Sequence, residues 1–396
     1  MILLKKITDN SPNRYGTGSV KWDLAEGIFQ EEGILPMWVA DMDFPSPEPV
    51  IQAIEKRARH GIFGYSACTE NYFHETVSWH QRRQGWSISP SSIIFTPGVV
   101  PALNMLVQEF AAGGKKVILQ PPVYYPFMGA VKNNGACIAE NRLVEQSLHY
   151  EMDLDDLEAK ASDPEAVMMI LCSPHNPVGR VWEKEVLRKV ADICRRHEVV
   201  LVSDEIHSDL IHSGHRHWPT ALAGETGPSD LLVTCCAPSK TFNLPGLQAA
   251  YCIIENEELR ERFRKRTEAN GIHGPNCFGA LAQEVAYREG TPWLKELMTA
   301  IEENFIYLKE TLAVREPRIG IVTPEATCLV WLDFRFLNFS GRELREFMRH
   351  RARVALNDGF TFGPGGEGFV RINIGCSRDT LAEGLERIIS ALDEAV

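Results

Sequence analysis

Lys240 is the residue whose position in this sequence most needs a chemical explanation. It follows the apolar run 231–236 after only three residues, and lysine is almost never fully buried unless something compensates its charge. One interpretation is that a core strand ends here and Lys240 points into water. The other is that a ligand beside the strand end binds the amine. The ends of the other apolar runs favour the second interpretation.

Groups able to bind or react also follow four other apolar runs. In chain order they are the backbone N–H groups of Gly98, Val99 and Val100, the rings of Tyr124 and Tyr125, the amide of Asn176 and the carboxylate of Asp204. The first set opens a helix that we expect to begin near Pro101, and backbone N–H groups at a helix start bind anions. Ligands of open α/β sheets bind just beyond the carboxyl ends of the strands. We therefore expect these groups to share one pocket with Lys240.

This combination of groups suits pyridoxal 5'-phosphate. A lysine forms an imine with its aldehyde, and a carboxylate keeps its pyridine nitrogen protonated so that the ring accepts electrons. An anion site holds the phosphate, an aromatic ring stacks on the pyridine, and an amide hydrogen-bonds the phenolic oxygen. Taken singly, Asp204 is better explained as a helix cap, and Tyr124 and Tyr125 as packing residues. The prediction therefore rests on their joint order along the chain.

The elements that carry these groups alternate between strands and helices. The runs 165–172 and 199–206 have strand length, and the segment 183–197 between them places its apolar residues on one helical face. Such a βαβ unit is typical of a parallel sheet covered by helices. Further runs that can join the same sheet lie at 91–95, 115–120 and 230–236. The sequence therefore predicts an α/β fold around a mostly parallel sheet.

The ends of the chain differ from this middle part. Residues 379–395 have the pattern of an amphipathic helix, and residues 368–375 alternate apolar and polar side chains as a half-exposed strand does. We expect a smaller α+β domain built from both ends. The predicted divisions are 1–45 for an N-terminal arm and part of the small domain, 46–288 for the large cofactor-binding domain, and 289–396 for the small C-terminal domain.

Composition and charge exclude several classes of protein. The chain has 396 residues and a net charge of −12, and without a block of basic residues it has no footprint for a nucleic acid. No apolar run approaches the roughly 20 residues that span a bilayer, and the first ten residues do not read as a signal peptide. The ten cysteines include no Cys-x-x-Cys pair, which favours free thiols in a cytoplasmic protein.

Several motifs together resemble a known family. "CSPHNPVGRVW", "SDEIHSDL" and "APSKTFNLPGLQ" resemble the fold-type-I aminotransferase superfamily, and with "PMWVADMDFPSP" and "TPGVVPAL" they resemble its cystathionine β-lyase branch of the MalY/PatB type. The resemblance runs from about residue 10 to the C-terminus. It implies a large domain with a mostly parallel, seven-stranded-type sheet, pyridoxal 5'-phosphate as cofactor, an amino acid as substrate, and a homodimer with shared active sites.

The resemblance also implies roles for individual residues. Lys240 is the Schiff-base lysine, Asp204 contacts the pyridinium nitrogen, Asn176 the ring oxygen, and Tyr124 stacks on the ring. Phosphate is held by Val99, Val100 and Ser239, at the turn that contains Gly98, and by Tyr65 of the neighbouring subunit. The substrate α-carboxylate binds to Arg371, helped by Asn176 and the backbone around Val39 and Ala40, with Tyr125 nearby. From the strand pattern alone, Arg371 is equally well explained as a surface residue.

Two residues depart from the wider aminotransferase pattern. His207 stands three residues after Asp204, where tyrosine is common, and we assign it to the cofactor site. Gln248 stands eight residues after Lys240, where aminotransferases often have a phosphate-binding arginine. The first departure suits the lyase branch. The second means that the negative charge of the phosphate must be compensated by the helix start, by hydroxyl groups and by a residue that the sequence does not identify.

Two further motifs have simpler explanations than the ligands they suggest. "GPGGEG" at 363–368 matches a dinucleotide fingerprint, but a strand-like run and not a helix follows it, so we interpret it as a turn. The histidines His207, His212, His215 and His217 crowd one stretch, but their spacing fits no known zinc motif. We therefore predict no metal site.

The reaction is less determined by the sequence than the cofactor is. A β-lyase expels a thiolate from the β-carbon and ends with pyruvate and ammonia, whereas an aminotransferase keeps the amino group on the cofactor. Both use Lys240 as the base for the α-proton. The motif "WVADMDF" and the Tyr124–Tyr125 pair favour a carbon–sulfur β-lyase acting on cystathionine or related cysteine S-conjugates. The alternatives are an aminotransferase and, third, a pyridoxal phosphate-binding regulator.

Overall fold

The computed structural model describes residues 11–224 and 230–395. The prediction about the first ten residues falls outside this part of the chain. The helices are α1 Ala25–Phe29, α2 Glu48–Arg59, α3 Glu70–Gln84, α4 Val99–Phe110, α5 Tyr125–Asn133, α6 Leu154–Ala161, α7 Lys184–Arg196, α8 Pro238–Thr241, α9 Glu257–Ala269, α10 Gly279–Glu289, α11 Thr291–Arg315, α12 Gly341–Glu346 and α13 Arg378–Ala395. The strands are β1 Leu35–Pro36, β2 Ile93–Thr96, β3 Lys116–Leu119, β4 Cys137–Glu140, β5 Val144–Gln146, β6 His149–Glu151, β7 Ala166–Cys172, β8 Val200–Asp204, β9 Leu232–Cys236, β10 Ala250–Ile253, β11 Gly320–Val322, β12 Leu329–Asp333, β13 Val354–Ala355, β14 Asn357–Asp358 and β15 Phe369–Asn373.

A large sheet forms the centre of the molecule. In the described part of the chain it has seven strands in the order β2-β10-β9-β8-β7-β3-β4. Only β10 runs antiparallel to its neighbours β2 and β9, and the other pairs are parallel. The predicted mostly parallel seven-stranded sheet is confirmed. Two strands, β4 and β10, were not predicted; each is four residues long.

Helices cover both faces of this sheet because the central strands are apolar on both sides. On β7, Met168 and Ile170 belong to the core that includes α4 and α5, whereas Met169 and Leu171 face the core that includes α6 and α7. This arrangement explains the continuous apolar run of the strand. The helix predicted to begin near Pro101 begins two residues earlier, at Val99, so Val99 and Val100 belong to its first turn.

A smaller antiparallel sheet has the order β11-β12-β15-β14, and its buried side chains share one hydrophobic core with those of α11 and α13. The N-terminal part of the chain reaches this region through β1, which pairs with β13 in a separate two-stranded sheet. Both chain ends therefore contribute to this region, while the predicted divisions at residues 45 and 288 stay predictions. The prediction of a half-exposed strand is wrong, because every residue of β15 is buried. No helix among the described residues is long and apolar enough to cross a membrane.

Candidate active site

One cavity of about 190 Å³ collects most of the predicted site residues. It lies at the carboxyl ends of β7, β8 and β9, where the sequence placed it. The predicted residues that line it are Ala40, Gly98, Val99, Val100, Tyr124, Asn176, Asp204, His207, Ser239 and Lys240, and Gln248 lines it as well.

Lys240 lies in the single turn of α8, which follows β9 directly. Its Nζ donates a 2.8 Å hydrogen bond to the carbonyl oxygen of Ala40. Burial lowers the pKa of Lys240 below its ordinary value because desolvation penalises the charged amine. Two neighbours in sequence anchor this turn. Thr241 donates to the buried carboxylate of Asp209 at 3.0 Å, and the Asn243 amide bonds to the backbone of Met42 at 2.8 and 2.9 Å.

Asp204 is the last residue of β8 and is 4% exposed. Its Oδ1 accepts a 3.1 Å hydrogen bond from the backbone N–H of Ile206. Burial raises the pKa of Asp204 to about 7, and the N–H of Ile206 only partly opposes this shift. No basic group among the described residues lies within salt-bridge distance of it. A buried carboxylate of this kind is suited to a cationic ligand.

Tyr124 and Asn176 occupy the wall of the cavity. Tyr124 ends the loop after β3 and precedes α5, and burial raises the pKa of its phenol to about 12, so the hydroxyl stays protonated at neutral pH. Its ring contacts Phe127 nearly at right angles, with centroids 5.8 Å apart, and Tyr125 at a tilt, with centroids 5.4 Å apart. Asn176 is 4% exposed, and its Oδ1 accepts a hydrogen bond from Arg371.

The start of α4 closes one end of the cavity. Gly98 is its N-cap, with Val99 and Val100 in the first turn, and Ser239 and Gln248 also line the cavity. Among the described residues that line the cavity, Lys240 is the only lysine or arginine. A helix start provides unpaired N–H groups and a partial positive charge, so this end is suited to an anion without a basic side chain.

Arg371 lies just behind the lining residues and is only 2% exposed. Its guanidinium donates to Asn176 Oδ1 at 2.9 Å, to the carbonyl oxygen of Trp38 at 3.0 Å and to Asn357 Oδ1 at 2.5 Å. Its Nε has no partner among the described residues. The surface interpretation of Arg371 is therefore wrong: this is a buried cation held by neutral oxygens.

The segment of residues 38–43 borders the site through Ala40 and was only partly recognised in the sequence. Asn373 donates to the carbonyl oxygens of Val39 and Asp41 at 2.6 and 2.7 Å. From the other side, Arg14 forms salt bridges with Asp41 and Asp43, each at 2.7 Å. The buried Lys21 also pairs with Asp43, at 2.8 Å. The two residues of each pair lie more than twenty residues apart in the chain, and no local sequence pattern indicates such a contact.

Besides Arg371, three predicted residues lie outside the cavity lining. Tyr65 is fully exposed, Tyr125 is 40% exposed and packs edge-on against Phe362, and Val39 is half-buried in the segment just described. Within this one chain Tyr65 therefore contacts no part of the predicted pocket.

The histidines of residues 207–217 diverge in the structure. His207 lines the cavity, and its buried Nδ1 has no partner among the described residues. His212 bonds to the carbonyl oxygen of Thr327 at 2.7 Å, His217 pairs with the buried Glu205 at 2.9 Å, and His215 is exposed. Among residues 11–224 and 230–395, no group of three or more potential ligands is arranged for a metal ion.

Comparison with known proteins gives the family. The family model for aminotransferase class I and II matches residues 33–388. The chain belongs to this family. Within it, the cystathionine β-lyase PatB of Bacillus subtilis is 46% identical over 384 residues, covering 97% of this chain and 99% of that protein. Protein MalY of Escherichia coli is 32% identical, covering 96% and 97%. The resemblance predicted from the motifs is confirmed.

A solved structure adds the cofactor of a related enzyme. Cystalysin from Treponema denticola contains pyridoxal 5'-phosphate and superposes with a TM-score of 0.94 at 38% identity, covering 98% of each chain. The aminotransferase family fold is thus shared along nearly the whole chain.

The cavity of this family member fits the same cofactor. Asp204 is a buried carboxylate with no salt-bridge partner in the described part of the chain, Lys240 is a buried amine, and the start of α4 offers N–H groups to an anion. Pyridoxal 5'-phosphate has a matching group for each feature: its ring nitrogen for Asp204, its aldehyde for Lys240 and its phosphate for the start of α4.

Proposed function

We propose that this protein is a pyridoxal 5'-phosphate-dependent carbon–sulfur β-lyase, which acts on cystathionine or related cysteine S-conjugates and releases a thiol, pyruvate and ammonia. The observation that carries the proposal is one cavity that unites Lys240, Asp204, Asn176 and Tyr124. The 46% identity to the cystathionine β-lyase PatB supports the lyase reaction over others.

Different residues of the cavity would bind different parts of the cofactor and of the substrate. Asp204 would hold the ring nitrogen, Asn176 and His207 would face the ring oxygen, and Tyr124 would cover the ring. Pyridoxal phosphate supplies the electron sink that stabilises negative charge on the substrate α-carbon. The three oxygens that accept hydrogen bonds from Arg371 are neutral, so its charge stays available for the α-carboxylate of the substrate. The backbone of Val39 and Ala40 would lie beside that carboxylate, with Tyr125 nearby.

Lys240 is the group suited to move the α-proton. Burial lowers the pKa of its amine, so a larger fraction of the amine is neutral and able to accept a proton near pH 7. Its hydrogen bond to Ala40 directs Nζ toward the segment that would bind the substrate carboxylate. A base beside the carboxylate site is in reach of the α-carbon.

We also propose a homodimer in the cytoplasm. The phosphate would sit at the start of α4 with Gly98, Val99, Val100 and Ser239, and Gln248 adds no positive charge there. Tyr65 is fully exposed, and its exposed neighbours Ile62 and Phe63 give this loop an apolar surface. A second subunit that covers the loop would receive the Tyr65 hydroxyl as a further phosphate donor.

One assay separates the lyase from the runner-up aminotransferase. Cystathionine, supplied without any keto acid, should yield pyruvate and a free thiol over many turnovers. An aminotransferase would stop after one turnover under these conditions and resume when a keto acid is added. A protein that binds the cofactor but does not turn over cystathionine, with or without a keto acid, would instead support the regulatory alternative.

A further inference from the structure

Arg371 lacks a negatively charged partner, although it is buried. In the described part of the chain no carboxylate lies within salt-bridge distance of its guanidinium, and burial lowers the pKa of this group. Buried charges are normally paired. Here the guanidinium donates its hydrogen bonds to the neutral oxygens of Asn176, Trp38 and Asn357. The guanidinium carbon also lies 5.1 Å from the centre of the Phe362 ring.

The position of Asn357 follows from the register of the small sheet. Asn357 on β14 is the direct antiparallel partner of Arg371 on β15, and directly opposed residues project to the same face of a sheet. Side chains alternate along a strand, so the next residue, Asp358, projects to the other face. There Asp358 pairs with Arg345 at 2.7 Å.

This alternation keeps a carboxylate one residue away from Arg371 but on the opposite face. If the order of the amide and the acid were reversed, the acid would stand beside Arg371 and neutralise it. An amide accepts the same hydrogen bond as a carboxylate and carries no charge. The structure therefore keeps Arg371 oriented and unpaired.

We propose that Asn357 is a specificity-determining residue, which orients Arg371 through a neutral acceptor and so reserves the guanidinium charge for the carboxylate of the amino-acid substrate. The proposal rests on the proposed function, in which Arg371 binds that carboxylate. Asn357 acts through Arg371 and is a positioning residue.

The test measures binding of two ligands that differ by a carboxylate. Cofactor-loaded wild type and variants are titrated with L-alanine, which has no leaving group on its β-carbon, and with ethylamine, which lacks the carboxylate. Binding is followed by the absorbance of the cofactor. Because a unit charge a few ångströms away outweighs one hydrogen bond, Asn357→Asp should weaken L-alanine binding by at least about tenfold and change ethylamine binding by less than about twofold.

Two further variants complete the test. Asn357→Ala removes the acceptor without adding charge and should weaken L-alanine binding by only a few-fold, so it tests the proposal even if Asn357→Asp does not fold. Asp358→Asn changes a charge on the same short strand but on the opposite face, and should leave the affinity for both ligands unchanged.

The outcomes separate this inference from the function on which it rests. A wild type that binds ethylamine as tightly as L-alanine would refute the role of Arg371 and, with it, this inference. A wild type that prefers L-alanine, with Asn357→Asp binding it normally, would refute the role of Asn357 alone. Equal weakening of both ligands in Asn357→Asp would likewise show a purely structural residue.

Discussion

Lys240 and Ala40 lie 200 residues apart in the chain and are joined by a 2.8 Å hydrogen bond from the lysine Nζ to the alanine carbonyl oxygen. This bond connects the turn after β9 with the segment of residues 38–43, which borders the cavity. The same segment is bound by Asn373 and by Arg371. The proposed base and the proposed carboxylate site are therefore positioned by one short stretch of backbone.

Lys240 should be the residue that bonds covalently to the cofactor. Purified protein should be yellow and lose that absorbance after treatment with borohydride, because reduction fixes the cofactor to the amine. Peptide mapping should then place the added mass on Lys240. Lys240→Ala, the matched control, should bind cofactor without the covalent mass. Mapping of the mass to another lysine would contradict the assignment.

Asp204→Asn should nearly abolish turnover while the protein stays folded. The amide cannot keep the ring nitrogen protonated, and the electron sink weakens. Since this loss affects the transition state more than the bound substrate, kcat should fall much more than the affinity for substrate. Steady-state kinetics with cystathionine would measure the split. A variant with near-normal kcat would remove Asp204 from its proposed role.

The raised pKa of Asp204 predicts a pH effect on the cofactor-free protein. The folded pKa of about 7 exceeds the ordinary value of 3.8, so the folded state holds its proton more tightly than the unfolded chain. The stability from this group is complete below about pH 4 and is lost as pH rises to about 7.

Asp204→Asn should remove this loss. Between pH 5 and pH 8 the free energy of unfolding of the cofactor-free variant should improve relative to wild type by about 3 kcal/mol. This is 1.36 kcal/mol for each of the two pH units from pH 5 to the folded pKa of about 7, above which the difference stays constant. Thermal unfolding midpoints at the two pH values give the comparison. Wild type and variant with parallel pH profiles would mean that Asp204 titrates normally.

Lys21→Ala should destabilise the fold. Lys21 is fully buried against Asp43 at 2.8 Å, and removal of one partner of a buried ion pair costs roughly 3–5 kcal/mol. Because Arg14 still pairs with Asp43 in the variant, we expect a loss at the low end of this range. Arg142→Ala is the control, because its 2.9 Å pair with Glu140 is exposed and such pairs contribute at most about 1 kcal/mol. Urea unfolding midpoints measure both changes. Equal shifts would show that the Lys21 pair stabilises no more than a surface pair.

The large sheet and most of the cavity lining were predictable from the sequence because they depend on local signals. Continuous apolar runs mark β7, β8 and β9, and the reactive side chains follow them within a few residues. The burial of Arg371 was not predictable in this way. Its strand alternates like a half-exposed one, but the face that carries Arg371 and Asn373 is covered by residues 38–41, more than 300 residues earlier in the chain. Such a contact leaves no periodic pattern.

Tyr65 should complete the active site of a second subunit. The phosphate end of the cavity has no arginine among the described lining residues, and a hydrogen bond to a charged group contributes roughly 1.5–3 kcal/mol, so Tyr65→Phe should weaken cofactor binding without abolishing it. The decisive measurement unfolds the variants Tyr65→Ala and Lys240→Ala and refolds them together, at a cofactor concentration too low to fill the weakened site of Tyr65→Ala. In the mixed dimer one site carries both defects and the other carries neither, so part of the wild-type activity should return. No recovery, with subunit exchange shown by mass spectrometry, would mean that each chain forms its site alone.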